Sequence, residues 1–290
     1  MHRDIMAQIF FVPAVVSCHT GGGHLVMQAD TCIGDMDMKI VVIGGTGLIG
    51  RPLVGLLRAE GHEVVAASPS TGIDALTGAG LAQALTDAAV VVDVSNAPSF
   101  EDAAALAFFR GTTTNLLKAA RDAEVRHVIA LSGVGTDRLQ ASGYFRAKLA
   151  QEQLISAGGT PYTIIRATQF FEFLSTIADG YTRDDTVYLP GIALQPVAAA
   201  DVSALLAEIA KAAPAGGIIE VAGPERAPLA EFTASWLGAR DDPRQISVTA
   251  EHDYFGAPAD DRSLVPDENS RIAPTRFDEW LAAQTQESAA

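Results

Sequence analysis

Three side chains in "LSGVGTDRLQASGYFRAK", Leu131 to Lys148, have types and spacing that suit proton transfer. Tyr144 and Lys148 stand four residues apart, so on a helix they share a face. A phenol at its ordinary pKa of about 10 is a poor acid–base group at neutral pH. A neighbouring ammonium favours the phenolate and lowers that pKa, while a hydroxyl from Ser132 can hold a substrate oxygen. Ser132 follows the apolar run "HVIAL", which puts it at the carboxyl end of a strand, where open α/β sheets bind ligands. In isolation a Tyr-x-x-x-Lys pair is a frequent accident of helices, with the tyrosine packed and the lysine solvated. The serine twelve residues upstream and the strand–loop–helix setting give the pair its weight.

A second feature precedes it. "VVIGGTGLIGR", Val41 to Arg51, runs from a β-branched stretch into Gly44, Gly47 and Gly50. Between a strand and a helix, the first glycine permits a tight turn and the second lets a pyrophosphate approach. The third lets the helix pack on its strand, and the helix N-terminus offers free N–H groups to phosphates. No G-x-x-x-x-G-K-[ST] stands there, which excludes a nucleoside-triphosphate loop at this position. After the second strand, "VVAASPSTG" supplies neither an acid for ribose hydroxyls nor a cation for a 2′-phosphate, only the hydroxyls of Ser68, Ser70 and Thr71. Arg51 is the nearest cation. The missing acid tilts the expectation toward NADP, with NAD possible, and Lys148 would also reach the nicotinamide ribose.

The elements that must position these residues alternate in type. Strands are expected at 39–43, 63–67, 89–94, 126–131 and 162–166, with helices at 47–59, 81–86, 102–123 and 144–156. That succession builds a doubly wound parallel sheet with helices on both faces, a Rossmann arrangement. Beyond Arg166 the pattern loosens: helices at 169–178, 201–212, 230–237 and 275–283, short strands at 187–189 and 195–197, and a sheet-edge strand at 218–221. Residues 38–290 are therefore expected to form one dinucleotide-binding domain. Its C-terminal part, roughly 167–290, is expected to fold over it as a substrate lid.

Composition narrows the function classes. With 290 residues, 48% hydrophobic and 19% charged, the chain is globular. A formal net charge of −15 argues against a nucleic-acid partner, since phosphate backbones need a basic face. Cys18 and Cys32 are the only cysteines, so the remainder can hold no disulfide, which is compatible with a reducing cytoplasm. The six histidines show no ligand spacing and no metal site is read. The run "IFFVPAVVSC" is too short to span a bilayer, and no membrane partner is expected. It faintly imitates a lipoprotein signal, but Asp4 and Pro13 oppose that. Residues 1–37 are expected to be a disordered extension, with Met36 or Met38 as a possible true start.

The segments "GGTGLIGRPLV", "VVDVSNAPSF", "GYFRAKLAQEQLI", "PYTIIRATQFFEF" and "QPVAAADV" resemble the atypical short-chain dehydrogenase/reductase superfamily, in its NmrA-like NAD(P)H-binding branch. The resemblance covers Met38 to the C-terminus and is specific for the superfamily, not for a substrate. It implies that the turn Gly44, Thr46, Gly47, Leu48, Ile49, Gly50 and Arg51 binds the dinucleotide, with Ser68 beside it. It also implies that the loop at Asn96-Ala97-Pro98 lines the dinucleotide, and that Ser132, Tyr144 and Lys148 are the catalytic residues. Some relatives keep the fold, lose catalysis and act as redox sensors.

In "RATQFFEF", Gln169 and Phe170 could face an apolar small-molecule substrate beside the nicotinamide, although each phenylalanine singly reads more simply as core. Glu172 reads as a helix-surface carboxylate and Asp201 as a helix N-cap. Three functions follow: an NAD(P)H-dependent oxidoreductase acting on a carbonyl or related group, a nucleotide-sugar epimerase or dehydratase, and a non-enzymatic NAD(P)-sensing regulator. The Tyr144–Lys148 pair speaks against the last. The absence of a cationic cluster for a sugar-bound diphosphate speaks against the second.

Overall fold

The computed structural model describes residues 37–250 and 253–288. The expectation for the N-terminal extension falls almost wholly outside them. In chain order the first half runs β1 (Lys39–Ile43), α1 (Gly50–Ala59), β2 (Glu63–Ala67), α2 (Leu81–Leu85), β3 (Val90–Asp93), α3 (Asp102–Asp122), β4 (His127–Gly133), α4 (Gly143–Ala157) and β5 (Tyr162–Ala167). The second half continues α5 (Leu174–Gly180), β6 (Thr182–Arg183), β7 (Thr186–Pro190), β8 (Ala193–Leu194), α6 (Ala199–Lys211), β9 (Gly217–Ala222) and β10 (Ala227–Pro228). It closes with α7 (Leu229–Gly238), β11 (Gln245–Thr249), β12 (Asp253–Tyr254), β13 (Ala257–Pro258), β14 (Arg271–Ile272) and α8 (Phe277–Ser288).

Seven strands form a parallel sheet in the order β14-β9-β5-β4-β3-β1-β2. Because helices cover both faces, nearly all side chains of the central strands β1, β3, β4 and β5 are buried or half-buried, which is why these strands read as continuous apolar runs. Ile40, Val42, Val90, Val92, Ile129 and Ile165 point to the face covered by α1 and α6. Val41, Ile43, Val91 and Val128 point to the opposite face, against α2 and α3. The parity of each strand residue thus assigns it to one layer, and the consequence for Ser132 appears below.

The segment after β5 does more than cover. It contributes β9, β14 and α6 to the sheet and its helical layer, and with Leu139 and Phe145 from before β5 it builds a second apolar cluster around Phe171, Leu174, Val187, Leu189 and Phe232. β9 is not an edge strand: β14 pairs with it at Val221 and Ala222. A two-residue strand carries no periodicity, so the sequence gives no sign of it. The helix expected from Gln169 begins later. Phe170 is extended and bridges to Val197, residues 171–173 make a 3₁₀ turn, and α5 starts at Leu174. The strand expected at 195–197 lies instead at Ala193–Leu194. Helix α1 starts at Gly50, because Gly47 to Ile49 are spent on the turn.

His127, at the opening end of β4, is fully buried with Nε2 2.9 Å from the Thr163 hydroxyl. Burial depresses its pKa to about 4 from the ordinary 6.5. Between those values the unfolded chain binds the extra proton, so this group's stabilisation is complete above pH 6.5 and is lost as pH falls toward 4. The expected slope in that window is about 1.4 kcal/mol per pH unit. Denaturation at stepped pH checks it, and His127→Leu should flatten the slope.

Candidate active site

The glycine turn presents bare backbone at the carboxyl end of β1. A Cβ on Gly50 would collide with the Gly44 carbonyl oxygen and lie 2.7 Å from the Gly45 Cα, so glycine is required there by the packing of α1 on the turn. Gly47 differs. A Cβ there would meet only the Gly44 oxygen, at 3.3 Å, and the residue is exposed. The fold tolerates a side chain at Gly47; a ligand lying over the turn would not. Helix α1 has no side-chain N-cap and no acid in its first turn. Among the described residues the N–H groups of Leu48, Ile49 and Gly50 donate to no protein oxygen. A pyrophosphate fits this cradle: free donors, positive helix end and no anionic competitor. Gly47→Val is therefore expected to abolish dinucleotide binding while shifting the melting temperature by only a few degrees. Calorimetry and thermal denaturation on the same variant check both.

The residues flanking the turn divide by exposure. Thr46 and Leu48 are exposed, whereas the Ile49 side chain belongs to the core and its carbonyl accepts a hydrogen bond from Ser203 at 3.0 Å. Arg51 is exposed, with one guanidinium nitrogen 3.3 Å from the Thr46 carbonyl oxygen. Ser68 is buried, and its hydroxyl lies 2.8 Å from that of Ser70 in a turn that Thr71 closes by hydrogen bonding to the Ala66 carbonyl.

On α4, Tyr144 and Lys148 share the face that meets Phe109 of α3. The Tyr144 hydroxyl donates to Asn96 Oδ1 at 3.1 Å, and the same oxygen accepts the Ala97 N–H at 3.0 Å. Phe100, Phe109 and Phe145 surround the phenol edge-on, with ring centroids 5.3 to 5.9 Å away. Burial in that apolar ring pushes the phenol up to about 12. The lowering expected from the lysine is not what this geometry gives, because the lysine is turned away. Lys148, 3% exposed, donates to the Leu131 carbonyl at 2.8 Å and to Gln151, and lies 4.4 Å from the centre of the Phe109 ring. Burial brings its ammonium down to about 8, against the opposing pull of Asp93 and Glu152. Gln151 in turn donates to Asp93 at 3.0 Å, and Asp93 holds the Ser95 hydroxyl and N–H at 2.6 and 3.0 Å. One chain of hydrogen bonds thus ties the lysine to the loop that carries Asn96.

Ser132 is not brought to Tyr144. Its parity puts it in a row with Arg166 and Glu220 on neighbouring strands, beneath α4. There its hydroxyl donates to Glu152 at 2.6 Å and lies 3.3 Å from Thr136 Oγ1. Glu152 also takes both forks of Arg166, at 3.0 and 2.8 Å, and Asp137 approaches that guanidinium at 3.1 Å. No local pattern announces this cluster: Glu152 reads as one polar residue of an amphipathic helix, and Arg166 as the end of a strand.

Gln169 follows β5 with its carbonyl holding the Val197 N–H at 2.9 Å. Among the described residues its buried side-chain oxygen has no hydrogen-bond partner. Phe170 packs against the core on the α6 side. Glu172 accepts the Ala199 N–H at 3.2 Å and so closes the start of α6. Asp201 caps nothing; it binds the Thr275 N–H and hydroxyl at 3.0 and 2.9 Å, tying α6 to the segment before α8. Among the described residues no cluster of His, Cys, Asp and Glu is arranged to hold a metal, and no helix is long and apolar enough to cross a membrane.

Comparison with known proteins adds four likenesses. A family model described as NAD(P)H-binding matches residues 44–213. The chloroplastic divinyl chlorophyllide a 8-vinyl-reductase of Oryza sativa subsp. indica is 29% identical over 249 residues, covering 73% of this chain and 61% of that protein. The chain therefore spans less than two thirds of that relative's length. Among solved structures, MoeE5 in complex with UDP-glucuronic acid and NAD superposes with a TM-score of 0.68 at 20% identity, covering 87% of this chain and 99% of the other. A new type of NADPH-dependent quinone oxidoreductase from Escherichia coli gives 0.61 at 16% identity, covering 84% and 99%. At these identities the structural likeness is one of fold.

Proposed function

We propose, for a chain that belongs to the NAD(P)H-binding family, an NAD(P)H-dependent oxidoreductase that reduces a carbonyl or related group on a small organic molecule. The observation that carries this reading is the Tyr144 phenol held by Asn96, in a loop that Asp93 and Gln151 tie to the buried Lys148 and whose Ser95 lies against the Gly44 turn. The reduced nicotinamide, when bound, supplies the hydride. Tyr144 then gives its proton to the oxygen that becomes an alkoxide. With its pKa at about 12 the phenol is fully protonated at neutral pH, the form a proton donor in reduction needs. Asn96 aims the hydroxyl, and the third donor of Lys148, left over from Leu131 and Gln151, serves a ribose hydroxyl. The backbone of the Gly44–Gly50 turn takes the pyrophosphate, and Gln169 with Phe170 lies beside the nicotinamide.

NADP(H) is the preferred form, on the strength of the missing acid after β2 and of Arg51 beside the turn, which among the described residues pairs with no carboxylate. The rice relative is named as a reductase, which favours reduction over sensing. The solved structure with UDP-glucuronic acid keeps sugar-nucleotide chemistry as the second reading, but Phe100, Phe109 and Phe145 around the phenol suit an apolar substrate better. Titration with both dinucleotides, followed by a panel of neutral carbonyl compounds scored for NADPH oxidation, tests the proposal. Tight binding with turnover of at least one compound is expected; failure to bind either dinucleotide overturns it.

A further inference from the structure

Asp93 ends β3 with a carboxyl group only 2% exposed, and among the described residues it makes no direct ion pair. Three donors reach it: the Ser95 N–H and hydroxyl on Oδ1, at 3.0 and 2.6 Å, and the Gln151 amide on Oδ2, at 3.0 Å. Gln151, 1% exposed, thus turns its NH₂ to Asp93 and its oxygen to the Lys148 ammonium. No other orientation of that amide satisfies both ends. Asp93 uses both oxygens as acceptors and an ammonium has only donors, so the two neighbours fix which amide atom faces which. Lys148 is thereby held at two of its three hydrogens, by Gln151 and by the Leu131 carbonyl. The charged groups acting on it are Asp93 from β3 and Glu152 from its own helix, with the Tyr144 phenol one turn earlier. From α3 it meets the Phe109 ring, and from β4 a backbone carbonyl. Glu152 already has a cation in Arg166, through two hydrogen bonds. Asp93 is the carboxylate left to balance the buried ammonium, and it does so through an amide rather than by contact. A direct pair would draw the ammonium onto β3. The intervening amide keeps it against Leu131 and Phe109.

We propose that Asp93 is a positioning residue of the dinucleotide site: acting through Gln151, it keeps Lys148 charged and aimed at the nicotinamide ribose. The same carboxylate holds Ser95, the residue before Asn96, so the lysine and the support of the Tyr144 phenol hang from one point. In this role Asp93 touches neither cofactor nor substrate, and its effect reaches the ligand only through Lys148. The inference rests on the reading of Lys148 as a ribose ligand.

The test is NADPH binding to the full chain, followed by fluorescence at stepped pH. With the Lys148 ammonium brought down to about 8, wild-type affinity should fall as pH rises through that value. Asp93→Asn removes the attraction that favours the charged form, so the fall should come about one pH unit lower. Where affinity follows the charged fraction, that is roughly 5-fold weaker binding at pH about 8. Gln151→Met, of similar volume, cuts the connection and should act in the same direction. In a Lys148→Met background, where binding is weaker from the outset, both substitutions should leave NADPH affinity unchanged, because the group they act through is gone. Equal losses with and without Lys148, or a midpoint that does not move, is what a merely structural role gives, and either overturns the inference. Should Asp93→Asn fail to fold, Gln151→Met decides alone, since it leaves both Ser95 hydrogen bonds in place. A wild type that binds no dinucleotide overturns the cofactor reading and the inference together; binding without this coupling overturns the inference alone.

Discussion

Tyr144→Phe is expected to lower kcat by about 10²- to 10⁴-fold, the usual cost of losing a positioned general acid. The ring remains, so its edge-on contacts with Phe100, Phe109 and Phe145 survive and the fold should hold. Dinucleotide affinity should hardly change, because the hydroxyl is committed to Asn96 rather than to the turn. Lys148→Met should behave differently. It removes a buried donor to Leu131 and Gln151, so it should weaken cofactor binding and turnover together and leave the Leu131 carbonyl unmatched. Steady-state kinetics beside calorimetry separates the two patterns. A Tyr144→Phe enzyme turning over at the wild-type rate would remove this phenol from the mechanism and bring the sensor reading forward.

Arg166→Met should carry the largest cost in stability. The guanidinium is buried and holds Glu152 through two hydrogen bonds, and removing it leaves a buried carboxylate that keeps, among the described residues, one hydrogen bond, from Ser132. Breaking one side of such a pair costs about 3–5 kcal/mol, which in a domain of this size corresponds to a fall of roughly 6–20 °C in melting temperature. The double variant Glu152→Met with Arg166→Met should recover much of the loss, because apolar residues of similar volume replace buried ion pairs at little cost. Thermal denaturation of the three proteins decides it. A single variant as stable as wild type would show that water reaches Glu152.

Most of the sheet and the whole of the turn are legible in local sequence. Continuous β-branched runs such as Lys39–Ile43 and Ala89–Val94 mark strands buried on both faces, and Gly44, Gly47 and Gly50 sit where a strand meets a helix, so local chemistry suffices for both. The pairing of Tyr144 with Lys148 was legible for the same reason, since helical periodicity alone puts them on one face. Tertiary structure decided what each of those residues touches. Asn96 reaches Tyr144 across 48 residues, and Gln151 reaches Asp93 across 58, by contacts that no local pattern encodes. Ser132 illustrates the divide. Its position at a strand end was readable, but its partner depended on the register of β4 with β5 and β9, which lines it up with Arg166 and Glu220 beneath Glu152. The same holds for β14 and for Tyr254: strands of two residues have no period to read, and only packing against distant chain gives them a place.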